Sequence, residues 1–272
     1  MSKRIDDLDP KRWREYEKNG LQFTTIWDFP KRDPLNLTVD TIKGNSPVEI
    51  PLQCILRYTK ENDIVVDPFV GSGTTLLVCA AYNRKGIGIE INPKIVEVAK
   101  KNLVNSNLSK KQLKKQKLLR GNAENLLKIA KRYKFQGKVA LVFTHPPYWN
   151  LIQYSKYYGK VEGDLSAQNF SEFLMAIKNI FSQVLKILRP NGFFCILIGD
   201  CFIKKGKVIP LDYYFTQIAL ECGFDFCNKI IKITHHATSR YGISNLMKYR
   251  SLKANFFICE HDYVLIFNKK KE

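Results

Sequence analysis

From residue 60 onward, short apolar segments rich in β-forming residues alternate with segments of helical composition. Helix 93–106 has a proline in its first turn, and helix 171–188 is amphipathic. Strands that alternate with helices form right-handed βαβ units. The sequence therefore predicts a mainly parallel sheet with helices on both faces, in which ligands bind beyond the carboxyl ends of the strands. The strand candidates are residues 63–69, 86–92, 117–123, 138–143, 193–199, 229–235 and 262–268.

Composition narrows the class of protein. The 272 residues are 45% hydrophobic, which suits a globular domain, and no segment approaches the roughly 18 apolar residues of a membrane span. The N-terminus "MSKRIDDLDPKRW" is charged and lacks a secretory signal, so we expect a cytoplasmic protein without a membrane partner. An excess of 44 Lys and Arg over 25 Asp and Glu gives a net charge of +19. This excess favours a polyanionic partner, although a solvated lysine-rich surface is the alternative.

The cysteines and histidines do not form a metal-binding pattern. No CxxC pair and no zinc-finger spacing occur, so we expect reduced thiols that are mostly buried. His235 and His236 are adjacent and would point in different directions, and no metal is predicted. The seven cysteines are at positions 54, 79, 195, 201, 222, 227 and 259.

A glycine-rich loop, "VVDPFVGSGTTL", follows the first of these strands. Gly71 and Gly73 allow the backbone to approach a ligand closely, and Thr74 and Thr75 supply hydroxyls where the next helix begins. The dinucleotide fingerprint GxGxxG requires glycine at position 76, where Leu76 stands, and a P-loop is absent. The loop therefore disfavours a nicotinamide oxidoreductase.

A carboxylate ends the second strand. Glu90 lies 17 residues beyond Gly73, and a carboxylate in this position typically accepts hydrogen bonds from ribose hydroxyls. The alternative is a surface residue that caps the following helix. Together with the glycine loop, Glu90 favours a cofactor that contains adenosine.

The segment "FTHPPYWN" directly follows the apolar segment "VALVF". Pro146 and Pro147 cannot donate to a sheet ladder and hold His145 extended, so the strand must stop there. The result is a stiff corner that presents His145, Tyr148 and Trp149. Such a corner is typical of a pocket for a flat ring.

Three segments in this order, "DPFVGSGTTL", "GIGIEINP" and "THPPYWN", resemble the S-adenosylmethionine-dependent amino methyltransferases of DNA, the N4-cytosine and N6-adenine group. Their signatures are a DPF-x-GxGTT loop and a (D/N/S)-P-P-(Y/F/W) tetrapeptide. The segments "GNSPVEIPLQCILRYTKENDIV", "LKILRPNGFFCILIGD" and "HDYVLIFNK" also fit, so the resemblance covers about residues 25–270. It implies a Rossmann-like class I methyltransferase fold, an α/β fold whose seven-stranded, mostly parallel sheet has an antiparallel last strand.

The resemblance also implies a cofactor site for S-adenosyl-L-methionine. Glu90 would hold the ribose, and Asn122 with Ala123 would contact the adenine. Asn122 stands where many relatives carry aspartate, but a neutral amide can still pair with an adenine edge. The methionine end would be enclosed by Asp67, Phe69, Gly71, Gly73, Thr74 and Thr75.

The same resemblance makes the tetrapeptide His145, Pro146, Pro147 and Tyr148 the catalytic corner. The family usually carries Asp, Asn or Ser at position 145, although some relatives have "THPPY"; a solvated loop histidine is the alternative. An exocyclic amine is a poor nucleophile, so the site must orient it and accept hydrogen bonds from its protons. Neutral His145 and the Pro146 carbonyl would accept, Tyr148 would stack on the base, and the histidine could take the released proton. A base within a duplex must be flipped to reach this corner.

Little of the chain is left for target recognition. Residues 1–24 are expected to form a basic N-terminal extension and residues 25–272 a single catalytic domain. Because only 72 positions separate the glycine loop from the corner, recognition is expected in two small insertions at about 149–169 and 236–261. It could otherwise be lax, or shared with a second copy in a homodimer or with a partner recognition subunit.

The second insertion is basic and aromatic. Its basic side chains could contact phosphates, or the segment could be an ordinary connection between strands. The candidates for nucleic-acid binding are Arg240, Lys248, Arg250 and Lys253.

Three functions follow from these observations. The first is a site-specific DNA methyltransferase of a restriction–modification or similar host-marking system, with cytosine N4 favoured over adenine N6 because the PPYW corner resembles the cytosine enzymes. The second is an RNA base amino-methyltransferase, which the absence of a large recognition domain suits equally well. The third is a catalytically inactive nucleic-acid-binding protein, which the intact GxG loop, Glu90 and the PPY corner disfavour.

Overall fold

The computed structural model describes residues 6–29, 37, 42, 44–202, 208–234 and 244–270. Its strands are β1 (Ile26–Trp27), β2 (Ile64–Asp67), β3 (Lys85–Glu90), β4 (Lys117–Arg120), β5 (Val139–Thr144), β6 (Leu188–Ile198), β7 (Cys201–Phe202), β8 (Val208–Ile209), β9 (Phe224–Ile233) and β10 (His261–Lys269). Eight of them form one sheet in the order β1-β9-β10-β6-β5-β2-β3-β4, and β7 pairs with β8 separately. Strand β10 is antiparallel to both neighbours, whereas the other pairs of the large sheet are parallel.

The helices connect these strands. They are α1 (Trp13–Lys18), α2 (Glu49–Tyr58), α3 (Thr74–Ala81), α4 (Pro93–Asn105), α5 (Lys110–Leu113), α6 (Leu126–Arg132), α7 (Ser155–Tyr158), α8 (Phe170–Ile187), α9 (Leu211–Glu221) and α10 (Ser244–Lys253). Short 3-10 turns occupy Pro10–Arg12, Ala123–Asn125 and Leu165–Ala167. Within the described part of the chain, none of the helices combines the length and apolar character needed to cross a bilayer.

The predicted α/β class and the mostly parallel Rossmann-like sheet are confirmed, but the predicted count of seven strands is wrong. The eighth strand is β1, which pairs in parallel with β9 and receives a hydrogen bond from the Ile231 amide at the Thr25 carbonyl (2.8 Å). A strand of two residues is too short to show a period in the sequence. It nevertheless covers the otherwise open edge of β9.

The sheet is buried on both faces because helices cover both. Every residue of β5 is buried, as its unbroken apolar sequence predicts for a central parallel strand. One face packs against α6, α8 and α9, with Phe173, Phe181 and Phe194 in its core. The other face packs against α2 and α3, with Ile50 and Leu77 in its core. Full burial of side chains of this size stabilises the fold by about 1.5–3 kcal/mol each.

The N-terminal residues pack onto the domain. The Gln53 side chain of α2 accepts a hydrogen bond from the Gln22 amide (2.9 Å) and donates to the Gly20 carbonyl (2.8 Å). Asp7 pairs with buried Arg84 at 3.2 Å. Residues 1–24 contain six basic and five acidic side chains. The extension is therefore nearly balanced in charge, and its description as basic is wrong.

Candidate functional site

A pocket with a cavity volume of about 100 Å³, open to solvent, lies at the carboxyl ends of β2, β3, β4 and β5. The glycine-rich loop and the corner that begins at His145 meet there, since neighbouring parallel strands end at the same edge of the sheet. Gly73, Pro146 and Tyr148 are not part of the lining. The predicted site residues that line the pocket are Asp67, Phe69, Gly71, Thr74, Thr75, Glu90, Asn122, Ala123, His145 and Pro147.

Two glycines of the loop have left-handed backbone conformations with different consequences. Gly71 (φ +52°) faces the pocket, where an added Cβ would lie 3.1 Å from Ile42 Cδ1. Gly73 (φ +93°) caps the N-terminus of α3, and its Cβ position lies 3.5 Å from Ala99 Cβ. Gly71 thus shapes the pocket, whereas Gly73 starts the helix and lies close to α4.

Asp67 ends β2 in a buried position beneath the loop. Its Oδ1 accepts a hydrogen bond from the Phe69 amide (3.0 Å) and its Oδ2 accepts one from the Thr75 hydroxyl (2.6 Å). Burial raises the pKa of Asp67 to about 7, against the lowering effect of these two donors, and the charge of Glu90 adds to the rise. A cation in the pocket would favour the charged form of this carboxyl group.

Glu90 ends β3 and faces the pocket. Its Oε1 accepts a hydrogen bond from the Asn92 amide (2.8 Å). Burial raises the pKa of Glu90, and the amides of Asn92, Gly71 and Ile91 oppose that rise. The side-chain cap of α4 is Asn92, whose Oδ1 accepts from the Lys94 amide (2.9 Å). Glu90 is therefore a pocket residue and not the cap that the alternative interpretation proposed.

Asn122 is partly committed to local structure. Its Oδ1 accepts a hydrogen bond from the Glu124 amide (2.9 Å) and caps the turn Ala123–Asn125. Its Nδ2 lies beside Gly163, at 2.6 Å from the position of an added Cβ. Toward a ligand, Asn122 can therefore donate more readily than accept.

Two pocket walls were not recognised in the sequence. The first is the segment before α2, where Asn45 Oδ1 accepts hydrogen bonds from the Ser72 hydroxyl (2.6 Å) and the Thr74 hydroxyl (3.2 Å). This wall lies in the segment "GNSP", which belonged to the family resemblance without a residue role. Gly44 (φ +79°) is a turn-forming residue in this segment, and it indicates a turn but not a pocket wall.

The second wall follows the corner, within the predicted insertion 149–169. It contributes Tyr154, Val161, Gly163, Asp164 and Leu165 to the lining. Asp164 Oδ1 accepts from the Ser166 amide (2.9 Å) and hydroxyl (2.7 Å), and burial raises the pKa of Tyr154. This part of the insertion lies against the pocket that the glycine loop forms.

His145 follows β5 and lines the same pocket. Its Nε2 lies 3.1 Å from the Tyr148 hydroxyl, and the two rings meet edge to face at 5.3 Å. Burial lowers the pKa of His145 to about 4, Lys232 reinforces the effect and Asp262 opposes it. The imidazole is therefore neutral at pH 7, and the alternative of a solvated loop histidine is wrong.

Tyr148 and Trp149 point into different surroundings. The Tyr148 hydroxyl lies 3.4 Å from Asp262 Oδ1, and burial raises the pKa of this tyrosine well above its usual value. The Trp149 Nε1 donates to the Gln168 carbonyl (3.0 Å), and its ring packs against Phe170 at 5.1 Å. Trp149 thus fixes the corner to the start of α8 and does not present its ring beside Tyr148.

The basic candidates lie away from the pocket. Lys248, Arg250 and Lys253 are exposed on α10, a helix without acidic residues, and none lines the pocket. Tyr249 on the same helix is 61% exposed. Arg240 lies outside the described residues. The second insertion therefore contains a basic, aromatic helix between β9 and β10.

Comparison with known proteins identifies similar sequences. A family model described as DNA methylase matches residues 1–101 and 139–272, more than half of the chain. The type II methyltransferase M.HpaI of Haemophilus parainfluenzae is 39% identical over 84 residues, which are 31% of this chain and 27% of that protein. The orphan methyltransferase M.BamHII of Bacillus amyloliquefaciens is 36% identical over 107 residues, 36% of this chain and 40% of that protein. The DNA adenine methyltransferase YhdJ of Escherichia coli (strain K12) is 38% identical over 93 residues, 34% of this chain and 32% of that protein. The chain thus spans less than half the length of each of these relatives.

Solved structures resemble the fold. An S-adenosylmethionine-dependent methyltransferase from Methanosarcina mazei aligns with a TM-score of 0.52 and 13% identity, over 79% of this chain and 96% of that chain. TrmN from Thermus thermophilus aligns with a TM-score of 0.51 and 15% identity, over 84% of this chain and 50% of that chain. At these identities the likeness supports the methyltransferase fold alone.

Proposed function

We propose, from the premise that this chain belongs to the DNA methylase family, that it transfers a methyl group from S-adenosyl-L-methionine to the exocyclic amine of a DNA base. The observation that carries the proposal is the shared pocket. Gly71 and the carboxylates of Asp67 and Glu90 face the same space as His145. S-adenosylmethionine bound by Gly71, Asp67 and Glu90 would therefore lie beside a base whose amine is held by His145.

The pocket residues suit this cofactor in shape and charge. S-adenosylmethionine supplies an electrophilic methyl group on a sulfonium and carries a positively charged amino group. Gly71 leaves the loop side of the pocket open, and three carboxyl groups, Asp67, Glu90 and Asp164, border it. Coulomb attraction in a partly buried site favours a cationic ligand over a neutral one.

We assign the pocket residues by their positions. Glu90 accepts hydrogen bonds from ribose hydroxyls, and Asn122 donates through Nδ2 to an adenine edge. Asp164 lies next to Gly163, which faces Asn122, so its carboxylate borders the nucleoside end. The methionine end is enclosed by Asp67, Phe69, Gly71, Thr74 and Thr75, with Asn45 orienting the Thr74 hydroxyl.

The corner performs a positioning and electrostatic task. The lone pair of an exocyclic amine is delocalised into its ring. The site must therefore align the amine with the methyl donor and accept hydrogen bonds from its N–H groups. Neutral His145 and the Pro146 carbonyl accept hydrogen bonds from the two N–H groups of the amine, and Tyr148 supplies a stacking face. Flipping the base out of a duplex costs a few kcal/mol, and stacking on an aromatic ring offsets about 1–3 kcal/mol of it.

The DNA backbone is held by the positive charge of the protein. Lys248, Arg250 and Lys253 of α10 contact phosphates, together with Arg240, which belongs to the same insertion. Exposed basic side chains on a helix without acidic residues support this assignment. Such contacts hold DNA without reading its sequence.

We propose cytosine N4 as the target, on the resemblance of the PPYW corner to the cytosine enzymes. Adenine N6 is the competing target, because one relative is a DNA adenine methyltransferase. The type II methyltransferases among the relatives favour a role in a restriction–modification system.

The test supplies methyl-labelled S-adenosylmethionine with duplex DNA, single-stranded DNA and RNA, followed by mass analysis of the nucleosides. Label in N4-methylcytosine from DNA is the expected result, and label in N6-methyladenine would change only the target base. Label confined to RNA would establish the RNA alternative. Tyr148→Ala with bound cofactor serves as the inactive control.

A further inference from the structure

A partly buried polar cluster adjoins Tyr148 and lies outside the proposed cofactor pocket. Lys232 of β9 and Asp262 of β10 stand directly opposite each other in the antiparallel register. Asp262 Oδ2 accepts from the Thr234 hydroxyl (2.9 Å) and from Lys232 Nζ (3.3 Å). Lys232 is only 5% exposed, so this charge is paired inside the protein. Nothing in the proposed cofactor site requires such a pair at this place.

The second oxygen of Asp262 continues the cluster toward the corner. Oδ1 lies 3.4 Å from the Tyr148 hydroxyl, whose oxygen lies 3.1 Å from His145 Nε2. The longer distance exceeds that of an optimal hydroxyl hydrogen bond, but the negative charge of the carboxylate still orients the hydroxyl proton toward it. The three groups thus form a chain from β10 to the pocket.

Gly199, directly after β6, makes this approach possible. A Cβ added there would lie 2.5 Å from Asp262 Oδ1 and 2.6 Å from Tyr148 Cε2. Real Cβ atoms do not come so close to other atoms, so any side chain at position 199 would push Tyr148 and Asp262 apart. The chain of contacts therefore depends on a glycine that the sequence places in "LIGD".

We infer that Asp262 is a positioning residue that sets the tautomer of His145. A carboxylate only accepts hydrogen bonds, so the single proton of the Tyr148 hydroxyl points to Asp262. The hydroxyl oxygen then accepts from His145 Nε2–H, and the neutral ring keeps its lone pair on Nδ1. This lone pair can then accept a hydrogen bond from a ligand, since His145 lines the pocket. The catalytic meaning of the tautomer rests on the proposed function, whereas the tautomer itself does not.

Lys232 and Thr234 complete the arrangement. Both donate to Oδ2, so they hold the carboxylate in place and leave Oδ1 to face Tyr148. A neutral side chain at position 262 would no longer orient the Tyr148 hydroxyl proton toward itself. An amide there could donate to the Tyr148 oxygen, the hydroxyl proton would turn to His145 Nε2, and the ring proton would move to Nδ1. His145 would then present a donor to the substrate amine.

The experiment uses the full chain labelled with ¹⁵N-histidine and long-range proton–nitrogen NMR at pH 7. The chain has four histidines, so the His145 signals are assigned by their loss in His145→Gln. We expect a protonated Nε2 in the parent chain and a shift toward protonated Nδ1 in Asp262→Asn. The matched control is Asp225→Asn, a carboxylate of the same strand pair that contacts Lys270 at 3.1 Å and should leave the His145 signals unchanged.

Activity is measured on the same variants with saturating cofactor. We expect kcat for methyl transfer to fall at least about tenfold in Asp262→Asn while the Kd for S-adenosylmethionine stays within about twofold, a tenfold change being 1.4 kcal/mol. Tyr148→Phe removes the hydroxyl that connects Asp262 to His145, so it should also abolish the preference of His145 for a protonated Nε2. This second variant decides the matter if Asp262→Asn does not fold.

The inference is overturned if the parent chain carries its proton on Nδ1, or if neither variant changes the tautomer. A chain that methylates no nucleic acid but shows the expected tautomers would refute the proposed function and leave this inference standing. A merely structural role for Asp262 would lower the unfolding temperature without moving the proton on His145.

Discussion

The proposed cofactor pocket and the corner at His145 and Tyr148 lie at the same edge of the sheet, but they are held mainly by hydrogen bonds of different sequence separation. The pocket loops are held by short-range hydrogen bonds, such as Thr75 to Asp67 and Asn92 to Glu90, across eight and two positions. The Tyr148 hydroxyl contacts Asp262, 114 positions away. The turns of the pocket therefore depend mainly on local sequence, although Asn45 also joins the glycine loop from 27 positions away, whereas the corner depends on the packing of β6, β9 and β10. Substitutions in the two regions should accordingly affect different constants, cofactor affinity in one and turnover in the other.

The largest expected effect is on the corner. Tyr148→Ala removes the proposed stacking face and the hydroxyl beside His145, so kcat should fall by about 100-fold or more because the base would no longer be held in line. The Kd for S-adenosylmethionine, measured by calorimetry, should stay within about twofold, since Tyr148 does not line the cofactor pocket. Tyr213→Ala, at a tyrosine 57% exposed on α9, is the matched control. Equal losses of affinity and turnover in Tyr148→Ala would contradict the division between the regions.

The next effect is on the loop. Gly71→Val places a branched side chain at φ +52° against Ile42, and such strain costs about 1–2 kcal/mol before any clash with the cofactor. Cofactor affinity should fall about tenfold or more, a loss that corresponds to 1.4 kcal/mol or more. Gly137→Val has a similar φ of +69° with open space around its Cβ position and serves as the matched control. Cofactor binding that is equally weak in both variants would mean that backbone strain alone is responsible.

A smaller effect is the pH dependence of cofactor affinity that the protonation of Asp67 should cause. Burial raises the pKa of Asp67 to about 7, and the positive charge of the cofactor should lower it again. The complex then binds fewer protons than the free protein, so binding near pH 6.5 releases a proton and affinity weakens as the pH falls below about 7. Calorimetry in two buffers of different ionisation enthalpy measures this release. Asp67→Asn should abolish most of the release, and an unchanged release would assign it to another group, such as Glu90.

The smallest effect should be found on α10. Lys248→Ala should remove one of the proposed phosphate contacts, so the slope of log Kd for duplex DNA against log salt should decrease by about 0.9, with a loss of a few fold in affinity. Lys178→Ala, at an exposed lysine of α8 that pairs with Glu221, is the matched control. Identical slopes in the two variants would place the DNA on another surface.

Several parts of the fold and site could be predicted because their physical causes are local. Seven of the eight strands of the sheet follow from apolar segments bounded by turn residues, and the stop after β5 follows from two prolines. The closeness of the glycine loop to the corner follows from the rule that parallel strands end at one edge. Glu90 could be placed at the pocket because its distance from the glycine loop matches one βα unit.

Other features were decided by tertiary structure. The sequence alone determined the layered α/β architecture and the edge of the sheet that carries the site, because burial and turn formation leave patterns within a few residues. It could not show β1, the wall around Asp164 or the contact of Asp262 with Tyr148, because each depends on chain segments that are distant in sequence. Hydrogen bonds across such distances leave no periodic signal. Only the packed sheet brings the partners together, and the same packing decides that His145 is half-buried and neutral.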